Sequence, residues 1–210
     1  IVPSQGIHLV FDKSFLPSDH ALMIPKTSDG RVLFAVPWHN RIVVGTTDTL
    51  IRKHSLEPIA LESEIEFVLE NAQRFLAKKP TRADVLSVFA GLRPLAAPEE
   101  EGKSTKEVSR SHKIIVSETG LITITGGKWT TYRKMAEEII DKAITKGKLT
   151  PKPCKTQHLA IHGNKTTTDL DRENHLYVYG TDIPKILQLQ QDETELTEKL
   201  HPDYEFTMAE

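Results

Sequence analysis

Arg31-Val32-Leu33-Phe34-Ala35-Val36-Pro37-Trp38-His39-Asn40-Arg41-Ile42-Val43-Val44-Gly45-Thr46 reads as a strand, a tight turn and a second strand. Both arms are rich in β-branched and aromatic residues, which suit a pleated, half-buried surface. His39-Asn40 turns the chain between them. Upstream, Asp29-Gly30 is a second hairpin signal. It is preceded by two more apolar runs, Ile7-His8-Leu9-Val10-Phe11 and Ala21-Leu22-Met23-Ile24. Short strands joined by tight turns argue for an antiparallel sheet over residues 7–46.

Working outward, the period then changes. Leu61, Ile65, Val68, Leu69, Ala72, Phe75 and Leu76 recur at helical spacing, predicting an amphipathic helix at about 61–78 with a solvated Glu and Lys face. Val85–Leu92 is another strand candidate. Residues 96–108 are a polar loop, and its run Glu99-Glu100-Glu101 reads as solvated chain rather than metal ligands. His112–Val116 and Leu121–Thr125 form a hairpin around Glu118-Thr119-Gly120.

Ile122-Thr123-Ile124-Thr125-Gly126-Gly127-Lys128-Trp129-Thr130-Thr131-Tyr132-Arg133 is a strand, a glycine turn and a helix start. Two glycines allow a sharp turn and close approach of a ligand. Thr130 or Thr131 can cap the helix. Free N–H groups and the positive end of the helix dipole suit an anionic or carbonyl-rich ligand above the turn, and Lys128 adds a full charge. The helix that follows carries Tyr132, Met135, Ala136, Ile139, Ile140 and Ala143 on one face, expected to pack, and Gly147 is placed to end it. Thr150-Pro151-Lys152-Pro153 is a linker, after which Asp182 before Ile183-Pro184 signals a helix start. The expected class is α+β: an antiparallel sheet with packed helices over 1–148, then a linker and a helical segment over 149–210.

The bulk numbers narrow the function. A chain of 210 residues has room for one good core, or one domain and part of another. A net charge of −2 and a pI near 6.5 give no support for nucleic-acid binding. No apolar run reaches the ~18 residues of a membrane span. No signal peptide is visible, and the start Ile1-Val2-Pro3 is that of a cut or processed chain. The single cysteine, Cys154, fits a reducing compartment and offers neither a disulfide nor a metal site, and no metal ligand set is expected.

Charged side chains cluster at strand ends: His8 in the first strand, Asp48 after the fourth, Arg93 after the fifth and Arg110 before the sixth. Singly, each has a plain structural reading. Together, Arg93, Arg110, Lys128 and His8 make a candidate phosphate pocket, because guanidinium binds phosphate bidentately.

Gly6-Ile7-His8, Phe34-Ala35-Val36-Pro37-Trp38, Gly45-Thr46-Thr47-Asp48, Gly91-Leu92-Arg93-Pro94-Leu95, Ser109-Arg110 and Gly126-Gly127-Lys128-Trp129-Thr130-Thr131-Tyr132-Arg133 follow one another at fitting intervals. The series resembles the FAD-dependent, quinone-linked glycerol-3-phosphate dehydrogenases, within the D-amino-acid-oxidase-like flavoproteins. The resemblance is close over about 1–145 and looser beyond about 150. It implies oxidation of glycerol 3-phosphate at C2 to dihydroxyacetone phosphate, with hydride passing to FAD and electrons onward to a quinone or another membrane acceptor. It implies that Gly126, Gly127, Lys128, Trp129 and Thr130 lie beside the flavin ring. Lys128 would stabilise the anionic reduced form. Arg93 would face the substrate hydroxyl, Arg110 would bind the phosphate, and His8 would be a polar contact or a proton acceptor.

The resemblance further implies that 1–148 is a substrate-binding cap region and that 149–210 begins the family's small helical C-terminal domain. The fingerprint G-x-G-x-x-G that would hold the FAD pyrophosphate is absent, and the family places it before the region of Ile1. The chain is therefore expected to be a piece without the main FAD-binding half, inactive in isolation. The expected location is the cytoplasm, with peripheral attachment to the inner face of the plasma membrane. Two other readings stay open: an amine or amino-acid oxidase of the same flavoprotein group, and a non-catalytic sugar-phosphate-binding module.

Overall fold

The computed structural model describes residues 2–52, 55–95, 112–164 and 174–210. The polar loop from 96, with its glutamate run, and Ser109-Arg110 lie outside the described residues. The chain divides into two compact units, residues 1–152 and 153–210.

The first unit is built on β1 (Val2–Asp12), a strand of 11 residues that starts well before the apolar run at Ile7. β2 (Leu22–Ile24), β3 (Leu33–Trp38), β4 (Arg41–Gly45), β5 (Thr49–Leu50) and β6 (Ser87–Leu95) complete a six-stranded sheet. The order is β2-β3-β4-β1-β5, with β6 along the other edge of β1, and every pairing is antiparallel. The two turns read from the sequence are both present. Gly30 takes φ +81° with its N–H on the Thr27 carbonyl at 3.0 Å. His39 and Asn40 take φ +44° and +57° between β3 and β4, the left-handed pair that matches the twist of a two-residue hairpin.

Odd-numbered residues of β1 face the core. Ile7, Leu9 and Phe11 are fully buried with Leu33, Ala35, Ile42 and Val44. α1 (Glu62–Ala72) covers them with Ile65, Val68, Leu69 and Ala72. Each of the larger side chains among them, Ile, Leu, Val or Phe, contributes about 1.5–3 kcal/mol by leaving water. The helix is shorter than its period suggests: it ends at Ala72, and turns carry the chain on to Leu76. Leu76 is buried in the core, but Leu61 and Phe75 at the ends of the stripe are exposed.

β7 (His112–Val116) and β8 (Ile122–Gly126) form the expected hairpin, a separate two-stranded sheet. α2 (Tyr132–Gly147) follows it. Here the packing expectation is corrected. Met135, Ile139 and Ala143 are half-buried, whereas Tyr132, Ala136 and Ile140 are exposed. Two five-residue strands are too narrow to cover the whole stripe of a 16-residue helix. The left-handed residue that ends α2 is Lys148 at φ +50°, one place after the glycine expected to do so.

Among its described residues the second unit contains short 3-10 turns and one regular helix, α3 (Ile183–Asp192), with Asp182 at its N-cap and Pro184 in its first turn. Cys154 is exposed. Among the described residues no helix is long and apolar enough to cross a membrane, and no group of three His, Cys, Asp or Glu side chains is placed to hold a metal ion.

Candidate active site

Even-numbered residues of β1 point away from α1, and the antiparallel register decides what stands beside them. Phe34, Gly45, His8 and Phe89 form a row across β3, β4, β1 and β6. Gly91 lies opposite Gly6, and Arg93 opposite Ser4. The face therefore has side chains at its margins and bare backbone between them.

Two glycines on this face, Gly6 and Gly45, are seats. A Cβ on Gly6 would fall on the guanidinium of Arg93, and one on Gly45 would fall on the imidazole of His8. A Cβ on Gly91 would meet nothing within 4 Å, so there the floor is open. His8 lies flat on Phe89, with ring centroids 5.0 Å apart and planes 14° apart. Burial, and then the nearby positive charge of Arg93, push the His8 pKa below its ordinary value. The imidazole is therefore neutral at pH 7, a state able to accept a proton.

Arg93 is held by the segment that leaves β4. Its Nη1 donates to the Thr47 carbonyl at 3.1 Å and its Nη2 to Thr46 Oγ1 at 2.9 Å. Ser4 donates to Asp48, fixing the end of that segment to β1. A pocket of 370 Å³ opens here, bounded by Arg31, Phe34, Thr46, Thr47, Asp48 and Arg93.

The glycine turn lies at the neighbouring end of β8. Thr125 Oγ1 reaches the Pro94 carbonyl, next to Arg93, at 3.5 Å. Gly126 and Gly127 take φ +77° and +80°, a region that side-chain-bearing residues rarely adopt. The bare Cα of Gly127 leaves room for Met135 of α2; its use is to let the helix close on the turn. Lys128, Trp129 and Thr130 are exposed, Trp129 at 86%. The Thr131 hydroxyl accepts from the Lys128 N–H at 3.2 Å and donates to the Lys128 carbonyl at 3.0 Å, so it braces the turn backwards.

The geometry thus brings His8 and Arg93 together on one face and gathers the half-buried Gly126 and Gly127 and the exposed Lys128, Trp129 and Thr130 into a single turn whose strand touches β6. Arg110 lies outside the described residues. Reading the sequence did not find Gly6 and Gly45 as seats, nor Thr46 and Thr47 as the partners of Arg93. The available signal was the recurrence of glycine at positions that register places beside the two site side chains. The residues present fit a flavin. Gly91 leaves the floor open beside Arg93, and the ammonium of the exposed Lys128 suits the carbonyl-bearing edge of the ring.

The chain belongs to the FAD dependent oxidoreductase family, whose model matches residues 1–133. A mitochondrial glycerol-3-phosphate dehydrogenase of Arabidopsis thaliana is 47% identical over 165 residues, covering 78% of this chain and 26% of the relative. That of Saccharomyces cerevisiae is 40% identical over 176 residues, covering 80% and 27%. The solved structure of the glycerol-3-phosphate dehydrogenase from Bacillus halodurans, complexed with FAD, superposes with a TM-score of 0.66 at 30% identity, over 94% of this chain and 35% of that one. The chain spans about a quarter of the length of these two mitochondrial relatives.

Proposed function

We propose that this chain supplies the substrate side of the active site of an FAD-dependent dehydrogenase that oxidises glycerol 3-phosphate to dihydroxyacetone phosphate, with electrons passing onward to a quinone. The observation that carries this reading is the seating of His8 over Gly45 and Arg93 over Gly6 on one bare sheet face. The similarity to glycerol-3-phosphate dehydrogenases of plant, yeast and bacterial origin supports it.

FAD, held beside the glycine turn, would supply the hydride acceptor for C2. Arg93 orients the C2 hydroxyl and favours the oxyanion that develops there. His8, neutral because burial and Arg93 disfavour its charged form, receives the hydroxyl proton. Arg110 binds the phosphate. Gly126, Gly127, Trp129 and Thr130 line the ring, and Lys128 places a positive charge near it. For location, the curated relatives of Arabidopsis and yeast are named mitochondrial. A mitochondrial membrane face therefore stands beside the cytoplasmic one as the place of peripheral attachment.

Kinetics of the full-length protein test this. Arg110→Ala is expected to raise the KM for glycerol 3-phosphate steeply, and Arg93→Ala to lower turnover as well. Both variants within a factor of two of the parent would remove the pocket assignment. Titration with glycerol 3-phosphate, glycine and inorganic phosphate separates the dehydrogenase from an amino-acid oxidase and from a sugar-phosphate-binding module.

A further inference from the structure

A buried carboxylate that the reaction does not use lies on the opposite side of the sheet from the site. Glu64, in the first turn of α1, is 3% exposed. Its Oε2 accepts from the Leu61 N–H at 3.0 Å, so that it closes its own helix start, and from Gln5 Nε2 at 2.7 Å. Gln5 also donates to the Ile59 carbonyl at 2.9 Å. The helix start alone would need only one of these oxygens. The other, Oε1, accepts from the Thr47 hydroxyl at 2.9 Å, and that hydroxyl accepts in turn from the Ile7 N–H at 3.1 Å. Thr47 is itself buried, and its carbonyl is one of the groups that hold the guanidinium of Arg93.

We propose that Glu64 is a positioning residue for Arg93, acting through Thr47: it fixes the segment after β4 so that the Thr47 carbonyl and the Thr46 hydroxyl present one docking geometry to the guanidinium. This rests on the reading that Arg93 faces the substrate. Burial raises the Glu64 pKa, but hydrogen bonds from Thr49, the Leu61 N–H, Gln5 and Thr47 outweigh it and hold the carboxyl below the usual range. The group is thus a permanent acceptor with both oxygens engaged. A carboxylate is required because all of its protein neighbours are donors. An amide in its place would turn an NH₂ toward at least one of them.

The test is a double-mutant cycle in the full-length protein, with glycerol 3-phosphate as substrate. Glu64→Gln is expected to lower kcat/KM about tenfold, as a loosened Arg93 contributes less to the transition state. Added to Arg93→Ala, it is expected to cost nothing further, within a factor of two, because the residue through which it acts is gone. If the two penalties multiply, or if Glu64→Gln alone is silent while Arg93→Ala is crippling, the positioning role is overturned and the site reading stands. If Arg93→Ala is itself silent, both fall. Should Glu64→Gln fail to accumulate as folded protein, Thr47→Val carries the same cycle. It cuts the link on the loop side and leaves the carboxylate and its bonds to Gln5 and Leu61 in place. Conservative rescue by Glu64→Asp paired with native Thr47 is expected to be incomplete, since a side chain one methylene shorter cannot reach both sets of donors.

Discussion

The imidazole of His8 occupies the space that a side chain at position 45 would need. An added Cβ on Gly45 would also come within 2.8 Å of the Ile7 carbonyl, which is backbone and cannot swing aside. Gly45→Ala is therefore expected to cost about 1–3 kcal/mol, the usual penalty for overpacking a well-filled site. Thermal or denaturant unfolding measures it, and a stability equal to the parent would show that the strand can yield at this point.

Gly6→Ala is expected to behave differently. Its clash is with the far end of the Arg93 side chain, which can move. Stability should change little, while kcat/KM falls toward the value of Arg93→Ala. A variant with parental kinetics would mean that the guanidinium reaches its place by another path.

The protonation of His8 gives a pH prediction with a definite sign. Its folded-state pKa is lowered by burial and by Arg93, so the folded protein binds this proton less readily than the unfolded chain. Stability from this group is lost as pH falls below the ordinary histidine value of about 6.5 toward the lowered one. If neutral His8 accepts the substrate proton, kcat/KM falls as pH drops through the lowered folded-state value. Removing the charge with Arg93→Met should move the imidazole titration upward, though burial still keeps it under the ordinary value. NMR titration of the His8 ring reads this directly, and an unmoved midpoint would sever the electrostatic link.

Asp29 offers a test of the first hairpin. Burial alone would raise its pKa, but hydrogen bonds from Arg31, from the Thr27 hydroxyl at 2.7 Å and from the Arg31 N–H at 3.1 Å bring it down to about 2. The stabilisation is complete above the unfolded value and is lost as pH falls through the folded one. Asp29→Asn should cost about 1–2 kcal/mol at neutral pH, allowing for partial solvent screening. The cost should fall steeply toward pH 2 and vanish below it. A penalty independent of pH would assign the effect to packing.

Lys128→Met, in full-length protein that retains FAD, should make the flavin harder to reduce. A shift of roughly 30 mV corresponds to about 1.4 kcal/mol for a two-electron couple. Spectroelectrochemical titration decides it, and an unchanged potential would place the ammonium away from the ring.

Much of the architecture was legible because its signals are local. Asp29-Gly30 and His39-Asn40 marked their turns, and the period of Ile65, Val68, Leu69 and Ala72 marked the helix that covers the sheet. What stayed hidden is non-local. The pairing of β1 with β6 joins residues more than 75 positions apart, and no window of sequence contains both strands. Gly6 and Gly45 could be read as turn or strand glycines. Only the register shows that each is the empty half of a pair whose other half is Arg93 or His8. The exposed half of the α2 stripe failed for a related reason: periodicity states which face is apolar, not how wide its partner is.

β1 serves the core with one set of alternate residues and the site with the other. Slippage of this strand by a single residue would therefore do two things at once. It would turn Ile7, Leu9 and Phe11 to solvent and send His8 into the hydrophobic layer beneath α1. A mispaired molecule cannot keep its chemistry while losing its fold, nor the reverse. Under the proposed function, turnover by the full-length protein would thus act as a proofreading assay for the pairing of this strand.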